Sequence, residues 1–149
     1  MKKSHCRLVE EDEIVTEIRI PASARDYRIG YDKFRVRDSH DFAVVSVASA
    51  YKVQDGVVTD ARIVLGAVAP IPLRAKEAEA YITGKAVTGE LAAEAAEIAL
   101  QGALPLSKNG YKVQIAKTLV RNSLLNARTP VRSEDKGADA RGTKRQKQA

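Results

Sequence analysis

The sequence predicts an α+β fold: an antiparallel sheet of three to four strands, followed by and packed on about three helices. Three observations predict it. Period-two, β-branched segments fill the first half, an Asp-Gly pair separates the two strongest, and the apolar spacing turns helical after Pro70 and Pro72. Strands first and helices after argue for segregated layers rather than alternating β-α-β units.

Residues 13–20 alternate Ile14, Thr16, Ile18 and Ile20 with Val15, Glu17 and Arg19, a strand pattern ended by Pro21. Residues 22–26 connect it to a second strand over 27–36, rich in charge and containing Gly30. Residues 43–53 are almost continuously small or apolar, and 57–66 follow after Gln54-Asp55-Gly56. Asp-Gly between such runs predicts a hairpin, because glycine takes a positive φ cheaply and a primed turn matches strand twist. In the second arm Ala61, Ile63 and Leu65 face one way and Asp60, Arg62 and Val64 the other, so one face is buried. Pro72 suits the first position of a helix over 73–83 that stops near Gly84. Thr88 caps a second helix, 89–100, rich in alanine and glutamate and ended by Gly102 and Pro105. Ser107 or Asn109 caps a third, in which Tyr111, Ile115, Leu119 and Ser123 fall four apart beside a stripe of Ala116, Val120 and Leu124.

At 149 residues, 44% apolar and 30% charged, the chain is long enough to bury one core without disulfides or a metal. Its single cysteine, Cys6, excludes an internal disulfide framework and points to a reducing compartment. No apolar run approaches the ~18–20 residues that span a bilayer, and none follows Met1-Lys2-Lys3 as a signal peptide requires; the expected location is the cytoplasm. Half of the net charge of +6 falls in residues 130–149, which hold six basic and three acidic residues, so no basic folded face is implied. The expected organisation is a loose lead-in over 1–12, one domain over 13–127 and a disordered basic tail over 128–149. That tail offers too little burial to offset its ordering entropy. Aromatic residues at 5%, with no basic–aromatic interleaving, argue against sequence-specific nucleic-acid reading. Binding through Lys144-Arg145-Gln146-Lys147 would be salt-steep and confined to the tail.

Catalytic constellations are absent. His5 and Cys6 do not make the four-ligand set of a zinc site, and nothing around Cys6 marks a nucleophile. Neither Gly-x-Gly-x-x-Gly nor Gly-x-x-x-x-Gly-Lys occurs. The most unusual local chemistry lies in residues 31–41, which pack Lys33, Arg35 and Arg37 with Asp32, Asp38 and Asp41 just before an apolar strand. In an extended backbone the three cations share a face. The residues leave two readings open: a charged edge that discourages strand pairing, or a polar cluster that meets an anionic or polar ligand.

Four segments occur in order. They are Ile18-Arg19-Ile20-Pro21; then Tyr31-Asp32-Lys33, Arg37 and the run from Asp41 through Phe42-Ala43-Val44-Val45 to Ala48; then the 61–75 run, containing Ala61-Arg62-Ile63-Val64-Leu65-Gly66 and Pro70-Ile71-Pro72-Leu73-Arg74-Ala75; and finally Tyr111-Lys112 with Leu119-Val120 and Leu124. Over 13–125 they resemble the C-terminal half of the flavin-binding subunit of molybdenum hydroxylases, the xanthine dehydrogenase and aerobic carbon monoxide dehydrogenase group. The resemblance implies a role in passing electrons from a molybdenum site, through iron–sulfur clusters, to FAD and on to an external acceptor. It implies as partners a molybdopterin-binding large subunit and an iron–sulfur small subunit. It further implies that Val15 offers a backbone contact to the flavin and that Lys33 lies near the ring, where positive charge favours the anionic reduced form. Arg37, His40 and Asp41 would line the turn beside it, with His40 standing where some relatives carry an acid. Only twelve residues precede the leading strand, where a complete subunit has a FAD-binding domain with glycine-rich phosphate loops. The expectation is a partial flavin-subunit module that shares FAD with an N-terminal domain it lacks, binds FAD weakly or not at all by itself, and is not active alone; a separate FAD-domain chain would be a further partner. A subunit-scaffolding domain or a truncated product is the alternative.

Overall fold

The computed structural model describes residues 12–37 and 40–127. Strands β1 (Arg28–Phe34), β2 (Val45–Gln54), β3 (Val57–Gly66) and β4 (Leu73–Arg74) form one antiparallel sheet in that order. Helices α1 (Lys76–Ile82), α2 (Gly89–Ala99) and α3 (Tyr111–Asn126) follow. α1 packs on β3, α3 on β1 and β2, and α2 against both other helices. The expected α+β architecture is therefore the observed one. Its core lies between the inner sheet face, with Val45, Val47, Tyr51, Ile63 and Leu65, and helical residues such as Ile82, Val120 and Leu124. On the other face Ile29, Tyr31, Ala48 and Arg62 are exposed.

The hairpin forms as its sequence dictates. Asp55 and Gly56 both take positive φ, 51° and 79°, the pairing that a two-residue primed turn requires. The register slips once, between Lys52 and Val53, so that Thr59 is an extra residue on β3. Its hydroxyl donates to the Lys52 carbonyl at 3.1 Å. Val58 and Ala61 are three apart and would face opposite sides of a regular strand; the bulge lets both be buried.

The outer edge of β3 is closed at both of its ends by the chain that follows it. β4 pairs with Val64 and Leu65, and Ala75 N–H donates to the Ile63 carbonyl at 2.9 Å. After α1, Gly84 N–H donates to the Val58 carbonyl at 2.7 Å, and Val58 N–H to the Lys85 carbonyl at 3.0 Å. The pairing of Leu73 and Arg74 with β3 corrects the helix expected over 73–83. Pro72 precedes a strand rather than opening a helix, and α1 starts at Lys76.

Thr88 caps α2 as expected, its Oγ1 accepting from Leu91 N–H at 3.1 Å. α3 has no side-chain cap: Asn109 Oδ1 accepts from Leu106 N–H within the preceding turn, and Gly110 holds the capping position. Its core stripe is Ala116, Val120 and Leu124 with Ser123, whereas Tyr111 stays exposed and Ile115 and Leu119 lie at the margin. The expected leading strand over 13–20 belongs to no strand of this sheet. A strand needs a neighbouring strand to take its backbone hydrogen bonds, and no described strand forms a ladder with this segment. The lead-in before Asp12 and the tail after Ala127 lie outside the described residues.

Candidate functional site

The candidate residues sit where β1 hands over to β2. β1 ends at Phe34, whose carbonyl accepts from Val44 N–H at 2.9 Å, closing the connection at the mouth of the sheet. Lys33 is therefore the last outward-facing strand residue, paired in register with Ser46, while Arg35 and Arg37 lie beyond the strand rather than on one extended face with it. Arg37 grips Asp41 with a fork, Nε to Oδ2 and Nη2 to Oδ1, both at 2.8 Å. The Arg37 guanidinium holds the Asp41 carboxyl below the usual carboxylate range, against a small opposing effect of burial, and the charges of Lys33 and Arg35 push the same way. Asp41 in turn raises Arg37. Lys33, Arg35 and Arg37 thus all act on the Asp41 carboxylate. His40 is exposed beside them. Phe34, Val36 and Phe42 place apolar surface in the same turn, Phe42 being 97% exposed.

Val15 is not brought into this cluster by any described contact. It lies in the 13–20 segment, outside every strand of the sheet, whose apolar side chains Ile14, Val15, Ile18 and Ile20 are all well exposed. Tyr27 Oη donates to Asp60, and Lys52 Nζ meets Asp26 at 3.2 Å, pinning the short 3-10 turn at Ala22–Asp26 and the start of β1 to β2 and β3.

The groups that do most for the fold were not visible as such in the sequence. Glu79 on α1 is only 6% exposed. Its Oε1 accepts from Ile63 N–H at 2.8 Å, and both its oxygens accept from Arg74 at 2.8 to 3.0 Å. Tyr51, fully buried, shares a hydrogen bond with Ser123 at 2.9 Å, and Ser123 Oγ also donates to the Val120 carbonyl. Burial pushes the Tyr51 phenol up to about 12. Both are long-range pairings, and the only signal in the sequence was a serine on the apolar stripe of α3.

The described glycines with positive φ, Gly56 and Gly84, stand singly, and Gly56 marks the end of the sheet away from the cationic turn. Neither makes the clustered loop that cradles a pyrophosphate. The turn's cations and apolar side chains fit the ring portion of a flavin, which is anionic when reduced and apolar on its faces. No described helix is long and apolar enough to cross a membrane.

Three helices cover one face of the four-stranded sheet, and the charged turn lies at one end of it. The chain belongs to the CO dehydrogenase flavoprotein C-terminal domain family, whose model matches residues 30–127. It is 31% identical over 125 residues to the carbon monoxide dehydrogenase medium chain of Hydrogenophaga pseudoflava, covering 81% of this chain and 43% of that one. The solved carbon monoxide dehydrogenase of the same organism superposes with a TM-score of 0.72 at 36% identity, over 80% of this chain and 42% of that one. Quinoline 2-oxidoreductase from Pseudomonas putida 86 gives a TM-score of 0.66 at 31% identity, over 74% and 39%. The chain thus spans less than half the length of the relatives it matches.

Proposed function

We propose that this chain covers the isoalloxazine ring of FAD in a molybdenum hydroxylase, completing a flavin site whose phosphate-binding part lies in another domain or chain. The observation that carries this reading is the exposed turn of Lys33, Arg35, Arg37 and Asp41, in which charged side chains stand among Phe34, Val36 and Phe42 at the mouth of a family-matched sheet. Bound FAD would take up electrons from iron–sulfur clusters and yield them to an external acceptor. Lys33 places positive charge against the ring edge. Arg37, fixed by Asp41, keeps that charge oriented, and His40 borders the same turn. Apolar side chains of the turn keep water off the ring. The 13–20 segment, which belongs to no strand of this sheet, supplies the docking arm: its alternating pattern and exposed isoleucines suit addition to the sheet of the flavin-holding part, which would carry Val15 to the cofactor. A molybdopterin-binding large subunit and an iron–sulfur small subunit complete the assembly.

Co-expression with these partners tests the reading. The expected product is a yellow complex containing this chain, in which Lys33→Met lowers the flavin reduction potential because the reduced anion loses its neighbouring cation. A complex that binds the same amount of flavin at the same potential with or without this chain would overturn it.

A further inference from the structure

A second concave site lies on the helical side of the molecule. A cleft of about 540 Å³ opens between the β3–β4 connection, the start of α1, the end of α2 and the first turns of α3. It exists because the facing positions carry small side chains, Ala75, Ala78, Ala99, Ala103 and Ala116, while Leu73, Ile98, Leu100 and Val113 form the walls. Its size falls in the range of about 300–1,000 Å³ that holds one small organic ligand. The polar groups at its margin are mostly cationic. Lys112 Nζ is fixed at the rim by the Ala67 carbonyl at 3.2 Å. Lys76 lines the cleft without an ion-pair partner among the described residues. Arg74 is turned to Glu79, and Glu77 is the one carboxylate in the lining. Apolar walls, with two ammonium groups against the single Glu77 carboxylate at the margin, match a compact apolar body bearing a single negative charge.

We propose that this cleft binds a small amphipathic organic anion, an aliphatic or aromatic carboxylate, at a site that shares no residue with the Lys33–Asp41 turn. The inference stands apart from the flavin reading and survives its failure. The test is titration of the full chain with 1-anilinonaphthalene-8-sulfonate, followed by competition with decanoate and with decylamine. One saturable site is expected, displaced by decanoate and not by decylamine. Ala103→Trp, which fills the cleft from an exposed position, abolishes it, and Lys76→Gln weakens it about two- to fivefold, as loss of an exposed charge pairing would. Amide shift mapping of the unaltered chain with decanoate supplies a second readout, expected at Ala99, Ala103 and Val113, that does not depend on a variant folding. Absence of saturable binding, equal competition by decylamine, or shifts confined to other surfaces would each overturn the proposal.

Discussion

The two edges of the sheet are managed in opposite ways. At β3 the backbone is met by β4, by Ala75, by the Glu79 carboxylate and by the segment after α1, so the chain closes its own edge. At β1 no described element pairs with the outer side, and the adjoining turn exposes cations and phenylalanines together. An edge closed by buried partners carries stability. An edge left open carries surface for something else, and it holds all but one of the residues tied here to the flavin. The difference predicts where substitutions destabilise and where they change function alone.

The largest expected effect is at the closed edge. Glu79→Ala leaves the Ile63 N–H buried without an acceptor and should cost about 2–4 kcal/mol in urea unfolding. Arg74 contributes less to that loss, being partly solvated. Glu79→Gln keeps an acceptor oxygen and should recover part of the stability; an equal loss in both variants would show that the hydrogen bond to Ile63 is not what closes the edge.

Next comes the core beneath both edges. The Tyr51 phenol titrates near 10 in the unfolded chain and near 12 in the fold, so the fold binds its proton more tightly. That contribution is complete below pH 10 and is lost as pH rises towards 12, on the order of 3 kcal/mol in all. Tyr51→Phe should cost about 1 kcal/mol at neutral pH and flatten the alkaline limb of the stability profile, measured by denaturation between pH 9 and about pH 12.

The smallest stability effect belongs to the open edge. Arg37→Ala breaks an exposed fork and should leave the denaturation midpoint at neutral pH essentially unchanged. Its signature is electrostatic. The Asp41 carboxyl, held low by Arg37, favours the fold above the usual carboxylate pKa and loses that contribution as pH falls through its lowered value. Removing Arg37 should bring the Asp41 titration, followed by NMR, back towards its ordinary position. An unmoved titration would mean that Lys33 and Arg35, not the fork, set it.

How much of this was legible in the sequence follows from the range of the interactions. The Asp55-Gly56 hairpin and the Thr88 cap are local, and short-range chemistry announces them. The Thr59 bulge was not visible, although the three-residue spacing of Val58 and Ala61 contained it. β4 was read as helix because two residues of strand leave no periodicity to detect; only the neighbouring Val64 and Leu65 make them a strand. Residues 13–20 show the opposite failure, since alternation reports a half-buried surface and not the partner that buries it. At the candidate site the charge run was plain, and the Arg37–Asp41 spacing of four allowed the fork. Its position relative to Val15 depends on where the leading segment goes, which this sheet does not determine.

Glu79 has a kinetic corollary. It rides on α1, a helix of seven residues, too short to hold itself together away from the sheet. Its carboxylate nonetheless occupies the place of a strand carbonyl opposite Ile63. The exchange rate of the Ile63 amide with solvent deuterium would then report the undocking of a helix rather than the fraying of a strand, giving a single-residue clock for how often the closed edge opens.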